Sequence, residues 1–333
     1  MGRGAHTRMM SAIAEPTALV TGATGFVGTH VIPALQGAGW AVRAAVRSGA
    51  GERLPEGVEA VVVGDLADGP DLGQALDGAD AVIHLAGRAH VMRETAADAE
   101  AAFRRANVDA TRHLAGQAVA AGVRRFVFLS SIKVNGERTT DRPFTEADMP
   151  APEDAYGRSK WAAEQALHEI AAATGLEVAI IRPPLVYGPG VKGNFPRLLR
   201  LVERGIPLPL AGVHNRRSLV GVWNLCDLIA TAARQPVAAG ETFLASDQHD
   251  LSTPELIRSI AAAMGRPARL FSFPTSVLRL AARAAGQGGA VERLVGSLQV
   301  DSAKATRLLD WLPMVSVEDG LRRTVEWYQS RSG

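Results

Sequence analysis

The chain has 333 residues, enough for one large domain or two unequal ones. Hydrophobic residues make up 47% and charged residues 21%, an ordinary globular composition that argues against disorder. A formal net charge of +2 implies no nucleic-acid footprint, and the single Cys226 excludes an intrachain disulfide or a multi-cysteine metal site. No apolar run approaches the ~20 residues that span a bilayer. Residues 1–15 read as a disordered leader without a secretory signal, since Arg3, His6 and Arg8 precede no apolar core. A cytoplasmic protein with no metal, nucleic-acid or membrane partner is expected.

From Thr17 onward short apolar runs alternate with longer amphipathic stretches. Buried strands are expected at 18–20, 41–46, 60–63, 81–85, 126–129 and 178–181, with helices at 26–36, 72–76, 97–121 and 155–173. Parallel strands need crossover connections, so the alternation predicts an α/β fold: a Rossmann-type, doubly wound parallel sheet with right-handed crossovers. After residue 181, prolines at 183, 184, 189, 196, 207 and 209 interrupt this pattern. A strand near 241–246 is expected to return to the sheet. Helices at 254–264, 275–285, 302–309 and 317–330 would build a smaller, mostly helical lobe. The expected division is a sheet domain over 16–182 and a mainly substrate-binding lobe over 183–333, with the active site between them.

The first strand runs into Thr21-Gly22-Ala23-Thr24-Gly25-Phe26-Val27-Gly28, and a helix follows. Gly22 and Gly25 let the backbone turn and approach a pyrophosphate, and Gly28 lets the helix pack close to the strand. The helix N-terminus adds free N–H groups and partial positive charge. Strand, glycine turn and helix in succession point to dinucleotide binding. The second strand ends in Val46-Arg47-Ser48, with no acid before Glu52. An acid there would hold a ribose 2′-hydroxyl, whereas Arg47 suits a 2′-phosphate. NADP(H) is therefore favoured over NAD(H), the alternative being that Arg47 is only a solvated charge. Asp65, after the third strand, would accept from the adenine amino group or cap its own loop.

Tyr156 and Lys160 stand four apart at the start of a helix, on one face and one turn apart. A free tyrosine titrates near ~10, and a nearby ammonium favours the tyrosinate. Such a pair can move a proton to or from a carbinol oxygen. Ser130 and Ser131 end the fifth strand, where ligands meet parallel sheets, although two serines there equally suit a loop.

Together Thr21–Gly28, Ser130-Ser131, Tyr156/Lys160 and the run from Arg182 to Pro189 resemble the extended short-chain dehydrogenase/reductase family of nucleotide-sugar epimerases, dehydratases and 4-keto reductases. The resemblance extends from about Thr17 to about Trp327. It implies a Ser131–Tyr156–Lys160 triad, with Lys160 also holding the nicotinamide ribose and Asn107 supporting the site. It places Gly22, Thr24, Gly25, Phe26, Val27, Gly28, Asp65, Leu66, Leu85, Ala86, Gly87, Ser130 and Pro183 against the cofactor. On the substrate side it implies Lys133, Asn135, Asn194, Arg217 and, out of register, Arg293. Arginines suit a diphosphate because their planar fork pairs with its oxygens.

Two departures are informative. The dehydratases' Asp-Glu pair is replaced by Ile132-Lys133, and the usual Asn before Val-Tyr-Gly-Pro by Pro184-Leu185. The run from Phe128 to Glu137 is most similar to reductases of UDP-2-acetamido-2,6-dideoxy-4-hexulose in surface-polysaccharide synthesis. A 4-keto reductase is thus the leading expectation. A UDP-hexose 4-epimerase with tightly held NAD shares the same triad. A dinucleotide-sensing regulator would typically have lost Tyr or Lys, and a steroid or flavonoid reductase would leave Asn194 and Arg217 nothing to bind. A UDP-sugar is the expected partner, and a homodimer would form through helices 97–121 and 155–173.

Overall fold

The apolar runs pair side by side in the computed structural model, which describes residues 15–49, 54–89, 96–284, 286 and 288–331. Nine strands form among the described residues: β1 (Thr17–Thr21), β2 (Ala41–Val46), β3 (Glu59–Val62), β4 (Ala81–His84), β5 (Arg125–Leu129), β6 (Glu177–Arg182), β7 (Leu185–Tyr187), β8 (Leu219–Gly221) and β9 (Thr242–Leu244). Seven make one parallel sheet in the order β3-β2-β1-β4-β5-β6-β9, while β7 and β8 pair separately. The order reverses between β1 and β4, and Thr21 lies level with Ala45 of β2 and His84 of β4. Ligands of open α/β sheets bind at that switch point, outside the carboxyl ends of the strands.

Both faces of the sheet are covered, which is why its strands are apolar on both sides. On one face lie α1 (Gly28–Gly37) and, from far along the chain, α7 (Val222–Arg234), packed around Val31, Leu35, Leu225 and Ile229. The other face carries α2 (Gly73–Leu76), α4 (Ala110–Ala120) and α5 (Ala155–Thr174) over Leu76, Leu114, Phe126 and Leu167. The helix expected at 97–121 is continuous but not uniform. It comprises α3 (Ala96–Phe103), a π-helical turn at Arg104–Asp109, and α4. Asp154 caps the start of α5, and Gly175 ends it in the left-handed region at φ 79°.

The strand expected near 241–246 forms as β9 beside β6. The later helices appear as α8 (Thr253–Ala263), α9 (Thr275–Ala284), α11 (Ala303–Leu309) and α12 (Val317–Ser330). Three further helices were not expected: α6 (Asn194–Glu203), α7, and α10 (Gly288–Val295). Nine of the thirteen residues of α7 are buried, and Asp227, Thr231 and Arg234 mark its narrow outer face at helical spacing, a pattern that the sequence reading passed over. It lies within 183–333 yet packs on the sheet. A separate apolar cluster around Tyr187, Phe195, Leu199, Ile260 and Leu321 joins α6, α8 and α12. Of the leader expected over 1–15, only residue 15 falls within the described residues.

Candidate active site

At the end of β1 the chain must turn beneath a close neighbour. Gly22 adopts φ 69°, and a Cβ there would lie 2.8 Å from the Ala86 backbone nitrogen. A Cβ on Gly28 would lie 2.2 Å from the Gly22 carbonyl oxygen. The Gly25 N–H donates to the Gly22 carbonyl at 2.9 Å, and the Thr29 N–H to the Gly25 carbonyl at 3.0 Å. The helical hydrogen bonding of α1 therefore begins inside the loop that contains Thr24, Phe26 and Val27. A loop of bare backbone facing a helix start is a cradle for a pyrophosphate, so the residues present fit a dinucleotide.

A buried polar chain links this loop to α5, the helix of Tyr156 and Lys160. Thr111 Oγ1 donates to the Asn107 carbonyl at 2.6 Å, so towards His84 Nε2, 2.9 Å away, it must accept. That fixes the proton on Nε2 and leaves Nδ1 to accept from Thr21 Oγ1 at 2.7 Å. Burial, with the Lys160 charge adding to it, pushes His84 down to about 3. Thr21 Oγ1 also accepts the Ala86 N–H at 3.3 Å, tying Leu85–Gly87 to β1. Asn107 sits in the π turn, whose extra width turns its carboxamide inward. It donates to the Arg88 carbonyl at 3.0 Å and to Ser159 Oγ at 2.9 Å, and accepts the Arg88 N–H at 2.7 Å. A Cβ on Gly87 would meet Asn107 Oδ1 at 3.0 Å and Lys160 Nζ at 3.4 Å.

Ser131 opens a short 3₁₀ turn after β5, and its Oγ accepts the Lys133 N–H at 3.3 Å. The turn is pinned to β6, because Ile132 N–H donates to the Pro183 carbonyl at 3.0 Å and Ser130 N–H to Ile181 at 2.8 Å. Asp154 Oδ1 accepts the Gly157 N–H at 2.7 Å and so sets the first turn of α5, which contains Tyr156. The Ser131 hydroxyl is near enough to the Tyr156 phenol to act on its titration, and the Phe103 ring lies 5.9 Å away. Burial pushes Tyr156 up to about 12 against the Ser131 hydroxyl, which acts downward. Lys160 is buried; its Nζ donates to the Leu129 carbonyl at 2.8 Å and lies 4.4 Å from the centre of the Phe128 ring. Burial brings Lys160 down to about 8, with Glu164 opposing. The expected depression of the tyrosine by the lysine is therefore corrected: the carbonyl holds the ammonium and burial dominates the phenol.

Several residues assigned to ligands are committed to the protein itself. Ser130 Oγ donates to Glu164, whose carboxylate also takes Arg182 Nε at 3.0 Å and Nη2 at 2.5 Å. Arg182 Nη1 reaches Asn135 Oδ1 at 3.0 Å, and Asn135 Nδ2 donates to the Thr145 carbonyl at 2.9 Å. With both ends of its carboxamide bonded, Asn135 braces the turn, and Ser130 serves the same buried network. Lys133 Nζ pairs with Glu137 at 2.8 Å and Asp154 at 2.5 Å. Asp65 Oδ1 accepts the Ala67 N–H at 2.9 Å and caps the 3₁₀ turn that Leu66 begins, which is its loop-capping alternative. Arg47 stands exposed just beyond β2. Sequence reasoning missed Glu164 and Thr111, and gave Arg182 and His84 no bonding role.

On the substrate side, Arg217 is paired through its backbone with Leu251 and Leu298, and its Nη1 donates to the Gly296 carbonyl at 3.0 Å. Burial, and then the charge of Arg293, lower its pKa, so the two guanidiniums are brought together. Beside them opens a cleft of about 520 Å³, lined by Asn215, Gly296, Arg138, Arg279 and Ser297 among others. Asn194 opens α6, is exposed, and is not among the residues lining this cleft.

A glycine cradle at the switch point and a Ser–Tyr–Lys constellation beside it define a dinucleotide-dependent short-chain dehydrogenase/reductase enzyme. The chain belongs to the NAD-dependent epimerase/dehydratase family, whose model matches residues 18–245. It is 42% identical over 311 residues to a UDP-glucose 4-epimerase of Vibrio cholerae, covering 92% of this chain and 94% of that one. Among solved structures, a dTDP-glucose 4,6-dehydratase of Streptomyces venezuelae with NAD bound superposes with a TM-score of 0.75 at 26% identity, covering 95% of this chain and 98% of that one. The UDP-glucose 4-epimerase of Thermotoga maritima, in complex with UDP-glucose, shares the fold with a TM-score of 0.76 at 23% identity, covering 95% and 100%.

Proposed function

We propose that this enzyme oxidises and re-reduces C4 of a UDP-hexose, acting as a 4-epimerase. The observation that carries the reading is the Ser131–Tyr156–Lys160 constellation at the carboxyl end of the sheet, with Arg217 bonded to Gly296 of the cleft wall; the Vibrio cholerae relative supports epimerisation. When bound, the nicotinamide supplies the acceptor and donor for the hydrogen at C4. Tyr156 takes the proton of the C4 hydroxyl and returns it, with Ser131 bonded to the same oxygen. Lys160, charged below about 8, holds the nicotinamide ribose. Gly22, Gly25 and the start of α1 hold the pyrophosphate, and Arg217 with Arg293 the substrate diphosphate. The cofactor is held by 16–182 with β9 and the substrate mainly by 183–333. A cytoplasmic homodimer through 97–121 and 155–173 accompanies this reading.

A second reading is favoured by Arg47. With no acid at the end of β2, its charge suits a 2′-phosphate and hence NADP(H). The reaction would then be net reduction of a UDP-2-acetamido-2,6-dideoxy-4-hexulose. One experiment separates the two readings. Nucleotide released from the purified protein is identified, and UDP-glucose is then offered without added cofactor. Bound NAD and formation of UDP-galactose, both unaided, with conversion lost in Tyr156→Phe, are expected. Stoichiometric consumption of added NADPH by the keto sugar, with no interconversion, would overturn the epimerase reading in favour of the reductase.

A further inference from the structure

Charge is distributed very unevenly along this chain. Segments 192–217 and 266–293 together contain eleven of its 36 Lys and Arg but only Glu203 and Glu292 of its 34 Asp and Glu. The remainder, with 25 basic against 32 acidic residues, is acidic. The two basic segments meet in space. Leu208 bridges Leu270, and the Phe271 N–H donates to the Leu208 carbonyl at 3.1 Å. Arg138 and Arg279 line the cleft, whereas Arg204, Arg269 and Arg283 are exposed.

On this basic surface α9 covers only part of its apolar side: Leu278 packs against the lobe's apolar cluster, while a second apolar stripe faces outward. Its partly covered residues include Thr275 and Arg279, which edge the cleft, Arg279 pairing with Glu292 of α10 at 3.1 Å. The opposite stripe, Val277, Leu280, Ala281 and Ala284, follows the spacing of one helical face and is exposed. Leu280 is 70% exposed and Val277 47%, and the segment leading in adds Phe271 at 46% and Phe273 at 39%. Exposed apolar side chains clustered like this mark a surface that something covers.

We propose that α9 and the segment leading into it dock this enzyme on an anionic lipid bilayer, lying in the interface with the mouth of the cleft beside the membrane. An apolar stripe flanked by arginines is what an interfacial helix presents to acidic headgroups. Self-association through a two-fold axis would set this basic surface against its own copy, which like charge opposes. A nucleic acid would match the charge but leave the Val277–Leu280 stripe in water. Among the described residues no helix is long and apolar enough to cross a membrane, so the contact is peripheral. It does not depend on which sugar the cleft takes.

The test is sedimentation of the full chain with phosphatidylglycerol vesicles and with phosphatidylcholine vesicles, alongside light scattering of the protein alone. The expected result is binding to the acidic vesicles at least about tenfold stronger than to the neutral ones, weakening as salt is raised. Val277→Glu/Leu280→Glu, both at exposed positions, is expected to weaken it about tenfold or more while leaving the melting temperature unchanged. Failure of the wild-type chain to sediment with acidic vesicles would overturn the proposal, as would undiminished binding by the double variant. An oligomer lost in the double variant, without vesicle binding, would assign the stripe to a second copy instead.

Discussion

Removing the Glu164 carboxylate tests whether the turn that carries Ser131 rests on one buried charge pair. Glu164 is fully buried and Arg182 is 4% exposed, so neither charge is solvated. The carboxylate takes two guanidinium hydrogen bonds and the Ser130 hydroxyl. Glu164→Leu leaves the guanidinium desolvated with one hydrogen bond, to Asn135, and the Trp161 ring 5.9 Å away, a loss of about 3–5 kcal/mol. At about 2–4 °C per kcal/mol, the melting temperature should fall by about 6–20 °C in a thermal scan. Pairing Glu164→Leu with Arg182→Met removes both charges and should recover most of the loss, because an apolar pair of similar volume is often neutral there. A double-mutant cycle should give a coupling of at least about 2 kcal/mol. A single variant melting within about 2 °C of the wild type, or a coupling near zero, would refute the reasoning.

Three further outcomes follow from the site. Gly28→Ala forces a Cβ to 2.2 Å from a backbone oxygen that no side-chain rotation can move. Calorimetric titration with NAD or NADP should therefore show about a hundredfold weaker binding or none, and affinity within threefold of wild type would contradict the cradle. Because burial holds His84 at about 3 against an ordinary 6.5, the unfolded chain binds the extra proton between those values. Stability should thus fall as pH drops through that window, by up to about 1.4 kcal/mol per unit from this group, and urea midpoints of His84→Asn should show a flatter slope. An unchanged slope would show that His84 is not the titrating group. Lys133→Met leaves Asp154, whose charge already acts upward on Tyr156, without its ammonium partner. Turnover at neutral pH should fall with KM for the UDP-sugar unchanged, whereas a rise in KM alone would return Lys133 to the substrate.

What was legible in the sequence is what depends on neighbours along the chain. The glycine loop is legible because strand, turn and helix are contiguous there. The Tyr156/Lys160 spacing is legible because one helical turn fixes their relation whatever surrounds them. The strands are legible because burial on both faces leaves short unbroken apolar runs. Helix α7 was missed although Asp227, Thr231 and Arg234 recur at helical spacing, because so narrow a polar face leaves most of the segment reading as one apolar run, and the sheet that buries it includes strands at least forty positions earlier. Nor is the π turn, since no residue preference in 104–109 announces a widened helix; Asn107 was identified by resemblance and not by its geometry.

Glu164 shows why the rest was hidden. It stands four after Lys160 on α5, a spacing that by itself reads as an exposed helical ion pair, worth about 0.3–0.5 kcal/mol. In the folded chain the lysine turns to the Leu129 carbonyl, and the carboxylate pairs with Arg182, eighteen residues on in strand β6. Removing one partner of such a pair costs roughly tenfold more than breaking the surface pair, because burial leaves the other charge uncompensated, and burial is a property of the assembled fold. The same holds for Lys133 and Asp154, twenty-one residues apart, and for Arg182 with Asn135. Local spacing could therefore name the candidate Tyr156/Lys160 pair, but which charges hold it in place was decided by segments that meet only in three dimensions.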